Sequence, residues 1–219
     1  GENMKKIVIC GSKGKCGKEV YRLLKQEGYQ ILDCVNEHEQ SLQEVIAKHQ
    51  SIDWVIDFTN KEVAYKHLLL CIQYHLPFIC GTTGFSNQEL KYIQEACQKI
   101  NLKGIICSNF SWPMNILIKN FSSLSQNFDH IKIIEQHHYS KKDKPSGTGK
   151  LLKSLARCEC EIVSEDRMDE IIEYDIQFES KYDKMKIVYE VDHKQVYAKG
   201  VLHYLQHDDE SVFINLIQK

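Results

Sequence analysis

The sequence of 219 residues has little proline, only 3 residues, and it has no long apolar stretch. A helix that crosses a bilayer needs about 20 consecutive apolar residues, and no stretch approaches that length. No apolar export signal stands near the start either. An excess of one charge is also missing, since 28 Lys and Arg face 30 Asp and Glu for a net charge of −2. We therefore expect a soluble protein that binds neither nucleic acid nor membranes.

Closely spaced cysteine motifs are absent as well, although the chain has 9 cysteines. Cys158 and Cys160 have a single residue between them, whereas redox and zinc pairs commonly have two. Most of the others lie in apolar runs, where a free thiol packs as a small hydrophobic group. The odd number and the missing export signal predict reduced thiols and a cytoplasmic location. We predict no metal site.

The chain does have enough apolar material, 42% of its residues, for a packed core. In its first half, short apolar runs alternate with amphipathic helical patterns, which is typical of parallel strands joined by helices. The predicted strands are residues 6–10, 29–35, 53–57, 77–80 and 104–108. The predicted helices between them are residues 18–27, 42–48, 62–74 and 86–99, and the last can open with a capping box.

The second half changes character, because strands with period-two patterning follow its helices. We predict helices over residues 113–126, 149–158 and 196–205, strands over 129–137, 175–180 and 185–191, and a last element of open type at 211–217. These patterns predict an α/β fold, a Rossmann-like doubly wound parallel sheet with an inserted α+β domain. We place the boundaries at 1–110, 111–195 and 196–219, and the last segment returns to the first domain.

Three glycines, Gly11, Gly14 and Gly17, lie between the first strand and the first helix. Glycine allows a sharp turn and a close approach of the backbone to a ligand, and the amides of the following helix then face an anion. This is the place of the pyrophosphate in a dinucleotide-binding fold. The spacing GxxGxxG is uncommon, so a tight turn without a ligand stays an alternative. The residues around Lys18 and Lys150 exclude a nucleoside-triphosphate P-loop.

Polar residues follow the second strand. Asn36 or Glu37 could hydrogen-bond the 2′-hydroxyl of an adenine ribose, which favours NAD. No arginine follows that would hold a 2′-phosphate. A plain polar loop is an equally open interpretation.

The stretch 135–150, EQHHYSKKDKPSGTGK, joins two imidazoles to a cluster of lysines ahead of a helix. The cations suit an anionic substrate, and a histidine, or a lysine among other cations, can supply a proton near neutral pH. Ser146, Gly147 and Thr148 can cap the helix or clasp a carboxylate. The alternative is a solvated basic loop with an ordinary cap. A zinc site is disfavoured because the side chains of adjacent histidines diverge.

Together with the glycine turn, four segments resemble the dihydrodipicolinate reductase family, also called 4-hydroxy-tetrahydrodipicolinate reductase. These segments are DFTN at 57–60, GTTGF at 81–85, SNFS at 108–111 and EQHHYSKKDKPSGTG at 135–149. The resemblance implies an oxidoreductase that transfers hydride from NADH and/or NADPH to a cyclic dicarboxylate imine or its hydroxylated precursor. The product would be tetrahydrodipicolinate, for diaminopimelate and lysine biosynthesis. It also implies a homotetramer, a dinucleotide-binding domain over 1–110 and a domain for substrate binding and oligomerisation over 111–195.

The resemblance also assigns roles to residues. His137 and Lys141 would be the catalytic pair that donates the proton, with Lys141 stabilising charge at the ring nitrogen. The substrate would be held by His138, Ser146, Gly147, Thr148 and Thr83. The cofactor would be held by Gly11, Ser12, Lys13, Gly14, Lys15, Cys16, Gly17, Asn36, Glu37, Phe58, Thr59, Gly81, Thr82, Thr83, Ser108, Asn109 and Phe110.

Some residues depart from the family pattern. Lys144 replaces an alanine, Lys194 replaces an arginine, and the region from Arg167 onward lacks two glycines and a histidine. We expect these changes to affect packing between subunits more than chemistry. They leave open a degenerate relative that binds a dinucleotide and regulates without turnover, or an oxidoreductase acting on another anionic imine or carbonyl. The sequence does not decide between NADH and NADPH.

Overall fold

A computed structural model describes residues 4–141, 144–207 and 213–215, and for the last three it describes the backbone alone. The chain forms two compact units, one from residues up to 110 with the described residues from 197 onward, the other from residues 111–196. The strands are β1 (Lys6–Cys10), β2 (Gln30–Val35), β3 (Trp54–Asp57), β4 (Phe78–Cys80), β5 (Gly104–Ile106), β6 (His130–His138), β7 (Glu159–Arg167), β8 (Ile172–Glu179), β9 (Lys184–Val191) and β10 (Phe213–Asn215). The helices are α1 (Lys15–Gln26), α2 (Leu42–Lys48), α3 (Lys61–Gln73), α4 (Asn87–Lys99), α5 (Trp112–Ser125), α6 (Gly147–Leu155) and α7 (Gln195–Gln206). Among the described residues, none of the helices has the length and apolarity that crossing a bilayer requires.

The first unit contains a 6-stranded parallel sheet in the order β10-β5-β4-β3-β1-β2. Its central strands are apolar on both faces and are buried almost completely, since helices connect them and cover the sheet. The strand order reverses beside β1, because the chain pairs β2 on one side of it and β3 on the other. Such a reversal opens a crevice at the carboxyl ends of the strands, where ligands bind in open α/β sheets.

The ends of α1 show how glycine sets the helix boundaries. The helix begins at Lys15, three residues before the predicted start. The apolar pattern does not reveal this first turn, because Gly17, which is buried in it, interrupts the pattern. Gly28 ends the helix as predicted, at a φ of +82°. Its amide and that of Tyr29 donate to carbonyls of the last turn, which is the Schellman arrangement.

The second unit contains a 4-stranded mixed sheet in the order β7-β6-β8-β9. Strands β6 and β7 are parallel, and the other pairs are antiparallel. Alternate residues of β6 and β8 pack against α5 and α6, and the core they form includes Met114, Phe121, Ile131, Ile133, Leu152, Ile176 and Phe178. The parallel sheet with its helices and this second, mixed sheet confirm the predicted fold class.

The predicted end of α6 at residue 158 is wrong, because the helix ends at Leu155. Two serines of α5 stop it. The hydroxyl of Ser122 donates to the Leu155 carbonyl at 2.8 Å, and the amide of Arg157 donates to the hydroxyl of Ser125 at 3.0 Å. The chain therefore leaves the helix early, and β7 starts at Glu159.

Candidate active site

The loops after β1, β3, β4 and β5 lie at one edge of the first unit's sheet, because parallel strands end on the same side. The glycine turn, residues 11–17, is packed too tightly for a side chain at two positions. A Cβ on Gly11 would stand 2.5 Å from the carbonyl oxygen of Phe58, and a Cβ on Gly17 would stand 2.0 Å from that of Gly11. Gly11 also has a φ of +82°, a conformation that other residues rarely adopt.

The start of α1 is built from backbone. Gly14 is its N-cap and brings no capping side chain, and its own amide donates to the Gly11 carbonyl at 3.1 Å. A helix start without a capping side chain presents amides and the positive end of the helix dipole to an anion. The remaining predicted residues here are Ser12 and Lys13 in the turn and Lys15 and Cys16 in the first helical turn.

The loop after β2 reaches the glycine turn through Asn36. The side-chain oxygen of Asn36 accepts from the amide of Lys13 at 3.1 Å, and its nitrogen donates to the hydroxyl of Ser12 at 3.1 Å. Glu37 makes no such contact with the turn, and 88% of its side chain is exposed. Asn36 therefore shapes the turn, whereas Glu37 is open to a ligand.

A buried carboxylate joins the loops after β3 and β4. Asp57 Oδ1 accepts from the amide and hydroxyl of Thr59 at 3.0 and 2.7 Å, and from the hydroxyl of Thr82 at 3.2 Å. Asp57 Oδ2 lies 2.6 Å from Nδ1 of His67 on α3. The two loops therefore share one anchor.

Aromatic rings pack the same loops together. A Cβ on Gly81 would lie 2.2 Å from the ring of Phe58, and the rings of Phe58 and Phe110 are 5.6 Å apart. A Cβ on Gly200 of α7 would lie 1.7 Å from the Phe110 carbonyl oxygen, so this helix packs directly on the loop after β5. The other predicted residues on these loops are Thr83, which is exposed, Ser108, and Asn109, which is buried.

In the second unit, the apolar buried row of β6 continues with Glu135 and His137. Glu135 is fully buried, and its carboxylate accepts from the amide of Ser146 at 2.7 Å. It also accepts from the hydroxyls of Ser146 and Ser164 at 2.5 and 2.8 Å. Burial alone raises the pKa of Glu135, but His137 and the hydrogen bonds of the two serines outweigh burial and lower the pKa to about 2.

His137 is 4% exposed, and its ring packs edge-on against Tyr174 with the centroids 5.6 Å apart. Its Nε2 lies 3.7 Å from a carboxylate oxygen of Glu135. Within the described part of the chain, this buried nitrogen has no hydrogen-bond partner. A polar atom in that state can gain a partner from a ligand.

Ser146 caps α6 and is engaged within the unit. Its hydroxyl accepts from the amide of Gly149 at 3.0 Å and lies 2.9 Å from the hydroxyl of Tyr174. A Cβ on Gly149 would stand 2.4 Å from Glu135 Oε2, whereas a Cβ on Gly147 would meet nothing within 4 Å. The first turn of α6 therefore has open space at Gly147 and tight packing at Gly149.

His138 ends β6, on the face opposite His137. Its Nδ1 accepts from the amide of Ser140 at 3.3 Å and lies 2.7 Å from the hydroxyl of Ser140, so the neutral ring carries its proton on Nε2. The amide of Lys141 donates to the His138 carbonyl at 2.9 Å, which closes a turn after the strand. The structure thus places both predicted catalytic residues, His137 and Lys141, near the end of β6.

Among the described residues, Cys10, Asp57 and His67 have the composition of a metal site. All three are buried, and their ligand atoms lie within 4.8 Å of one another. However, Asp57 and His67 are 2.6 Å apart, which is a hydrogen-bond distance. Ligands held about 2.0–2.1 Å from a tetrahedral zinc ion would stand about 3.3 Å apart. The geometry therefore favours a hydrogen bond here.

Sequence reasoning missed Asp57, His67, Glu135 and Tyr174. The period-two pattern of β6 does place Glu135 in an apolar row, and a buried carboxylate needs hydrogen-bond partners. That conflict was a usable signal. His67 lies on the buried face of α3, and nothing in the helical pattern marks it as a partner of Asp57.

This chain matches a family of known proteins along most of the chain's length. The family described as "Dihydrodipicolinate reductase, N-terminus" matches residues 5–110, and "Dihydrodipicolinate reductase, C-terminus" matches residues 113–215. The chain belongs to the dihydrodipicolinate reductase family. Membership confirms the predicted enzyme class, an NAD(P)H-dependent oxidoreductase of diaminopimelate and lysine biosynthesis. It gives no support to the alternative of a regulatory relative without turnover.

Individual reductases show how close the likeness is. The 4-hydroxy-tetrahydrodipicolinate reductase of Carboxydothermus hydrogenoformans is 31% identical over 187 residues, which are 74% of this chain and 71% of that protein. The reductase of Buchnera aphidicola subsp. Cinara cedri is 27% identical, and the match covers 92% of this chain and 90% of that protein. For several other relatives, the match spans less than two thirds of their length. The dipicolinate-bound dihydrodipicolinate reductase from Paenisporosarcina sp. TG-14 shares the fold, with a TM-score of 0.76 and 19% sequence identity. The superposition covers 93% of this chain and 94% of that chain.

The departures from the reductase family pattern form polar contacts inside the second unit. Lys144, in place of alanine, pairs with Asp166 on β7. Lys194, in place of arginine, lies 3.3 Å from Glu170. In the region that lacks the two glycines and the histidine, Arg167 keeps the arginine of the pattern and donates to three side chains of the same unit. These substitutions are therefore compatible with a folded reductase unit.

Proposed function

We propose that this chain reduces 4-hydroxy-tetrahydrodipicolinate to tetrahydrodipicolinate with NADH or NADPH. The observation that carries the proposal is a pair of helix starts, one in each unit, that lie in family motifs and suit an anion. Helix α1 starts at the glycine turn, and α6 starts beside a buried histidine at the end of β6. A dinucleotide and a dicarboxylate are the two anions that the reaction requires.

The first unit would hold the dinucleotide. The glycine turn fits a pyrophosphate, since side chains are excluded at Gly11 and Gly17 and the N-cap Gly14 adds none. Glu37 would reach the adenine ribose. The remaining contacts would come from residues 11–17, Asn36, Phe58, Thr59, Gly81, Thr82, Thr83 and 108–110. When bound, the nicotinamide supplies the hydride.

The second unit would hold the substrate. One carboxylate would bind the amides of Gly147 and Thr148 at the positive end of α6, where Gly147 leaves open space. Ser146, fixed by Glu135, would keep that turn in place, and His138 would contact the same substrate. The Paenisporosarcina relative binds dipicolinate, a cyclic dicarboxylate of the same class, which supports this assignment.

The reaction replaces the 4-hydroxyl by hydrogen, so it consumes one hydride and one proton and releases water. His137 and Lys141 would supply the proton. The buried Nε2 of His137, which has no hydrogen-bond partner among the described residues, supports this role because it can gain one from the substrate. The ammonium of Lys141 would stabilise charge that develops at the ring nitrogen.

The test follows the absorbance of the reduced nicotinamide while dihydrodipicolinate synthase supplies the substrate in situ. We expect oxidation that depends on both this chain and the synthase. An independent titration measures NADH and NADPH binding by fluorescence in the absence of substrate. No oxidation with either cofactor would refute the proposed reaction, and a chain that binds neither cofactor would refute the dinucleotide site as well.

We also propose a homotetramer assembled through the second unit. Large apolar side chains of this unit, Met168, Tyr182 and Val188, are 84%, 87% and 54% exposed, which supports an interface there. Light scattering measures the mass of the assembly, and the mass of a monomer would contradict the proposed tetramer.

All 9 cysteines are free thiols, which supports a reducing compartment such as the cytoplasm.

A further inference from the structure

We infer that His67, acting through Asp57, positions the loops that bind the dinucleotide. The inference rests on the proposed function, since it concerns the cofactor site of the first unit. His67 lies on α3, a helix with no predicted binding residue, and it is 8% exposed. The buried face around it is otherwise apolar, so its ring must find a hydrogen-bond partner.

That partner is the carboxylate of Asp57. Nδ1 of His67 donates to Oδ2 at 2.6 Å, while Oδ1 accepts the three hydrogen bonds from Thr59 and Thr82. Asp57 is fully buried, so these donors together offset the cost of removing a carboxylate from water. The imidazole thus supplies a donor to Oδ2, while the loops supply the donors to Oδ1.

These contacts fix the loops relative to one another. Thr59 follows β3 and Thr82 follows β4, and both hydroxyls donate to the same oxygen. Phe58, between Asp57 and Thr59, packs its carbonyl oxygen against Gly11 and its ring against Gly81. A shift of the Asp57 carboxylate would therefore reach three loops that would bind the dinucleotide.

Loss of His67 would leave Asp57 Oδ2 without this donor. The carboxylate would then rotate toward another donor or admit water, and each response changes its hydrogen bonds to Thr59 and Thr82. Because these loops would bind the cofactor before any chemistry, we expect weaker dinucleotide binding. His67 is a positioning residue in this arrangement.

Two variants of the full chain separate the donor from the volume of the side chain. His67→Asn keeps an amide nitrogen close to the place of Nδ1, whereas His67→Phe keeps a ring without a donor. NADH is titrated by fluorescence in the absence of substrate. We expect His67→Phe to raise the Kd for NADH about tenfold or more, and His67→Asn to raise it about threefold or less.

Leu68→Ala is the matched control, because it removes a buried side chain at the next position of α3 that cannot hydrogen-bond Asp57. The inference is wrong if His67→Phe binds NADH like the native chain. It is also wrong if Leu68→Ala, at an equal loss of thermal stability, weakens NADH binding as much. A native chain that binds no dinucleotide would instead overturn the proposed function.

If His67→Phe does not fold, His67→Gln replaces it, since its amide nitrogen lies farther from the backbone than Nδ1 does. The expected order of NADH affinity is then native, Asn variant, Gln variant. Equal affinities for all three would overturn the inference. A native chain that holds one zinc ion per molecule, lost in His67→Asn, would also overturn it, because Cys10, Asp57 and His67 would then be metal ligands.

Discussion

Among single residues, Lys141 is the one whose removal should show most directly in the rate. Lys141→Ala is expected to lower kcat by roughly 10²–10⁴-fold, because a general acid and the charge near the ring nitrogen act in the transition state. Steady-state kinetics measure this, with Lys150→Ala as control, since Lys150 is an exposed lysine of the same basic stretch. An unchanged kcat with a raised KM would show that Lys141 binds substrate instead.

Glu37 tests the choice of cofactor. Glu37→Ala is expected to weaken NADH binding more than NADPH binding, because the carboxylate can accept from a 2′-hydroxyl but repels a 2′-phosphate. Fluorescence titrations with both cofactors measure the two Kd values. Glu39→Ala is the control, since Glu39 is a nearby exposed carboxylate that pairs with Lys13. Equal effects on both cofactors would show that Glu37 does not contact the ribose.

Glu135 links the stability of the fold to pH. Its pKa is about 2 in the folded chain, against about 4.3 for an unperturbed glutamate, so the ionised group stabilises the fold at neutral pH. That stabilisation is lost as the pH falls from about 5 toward 2, when the group takes up a proton. We expect Glu135→Gln to have a lower melting temperature than the native chain at pH 7. Below pH 4, the difference between the two melting temperatures should become smaller.

Thermal unfolding at a series of pH values measures this effect. Glu165→Gln is the control, because Glu165 is an exposed carboxylate on β7 whose partner is Gln136. A constant difference in melting temperature between native and Glu135→Gln at every pH would show that the loss is steric and does not depend on the charge.

At the scale of elements, local patterns predicted helix and strand positions well. Ser86 and Glu89 form the predicted capping box of α4, and both reciprocal hydrogen bonds are present. Helix α2 covers the residues predicted for it, 42–48, and Ser41 caps it. Such helix boundaries depend on a few neighbouring residues, so a single sequence is enough to predict them.

Contacts between distant elements could not be predicted in the same way. The early end of α6 depends on Ser122 and Ser125, which lie about 30 positions away on α5. The pair of Asp57 and His67 joins a strand to a helix face, and no local rule relates the two. The motifs thus located the candidate site, while the side chains that support it emerged only from packing.

Gly149 provides a test at this scale, because it lies where α6 meets β6. Gly149→Ala is expected to cost about 1–3 kcal/mol of stability, since the added methyl group would displace the buried carboxylate of Glu135 from its donors. Chemical denaturation measures the free energy of unfolding. Gly147→Ala is the matched control and should not destabilise the fold, because its Cβ meets nothing within 4 Å. Equal losses for the two variants would contradict the packing argument.

At the scale of the whole molecule, each unit combines a rigid sheet with a helix start that suits one anion. The first unit fixes its loops through Asp57 and Phe58, and the second fixes α6 through Glu135 and Ser146. In both units, a buried carboxylate holds a turn in place by accepting several hydrogen bonds. Preorganised turns of this kind reduce the ordering cost of binding, because the amides are already aimed at the ligand.

The glycine turn allows this idea to be tested on the whole chain. NADH at about 100 times its Kd should stabilise the folded chain by about 2.7 kcal/mol, or several degrees in melting temperature. Gly14→Ala should fold, because its Cβ would stand 3.4 Å from the Gly11 carbonyl, yet the methyl group would lie at the start of α1. We expect this variant to lose most of the shift that the same NADH concentration produces.

Gly147→Ala is again the control, since it changes the start of α6 in the other unit and should keep the full NADH shift. The comparison separates ligand binding from stability, because each melting temperature is referred to the same variant without NADH. If Gly14→Ala keeps the native shift while Gly147→Ala loses it, the dinucleotide binds at the second helix start. The assignment of one anion to each unit would then have to be reversed, because mass action stabilises only the state that contains the occupied site.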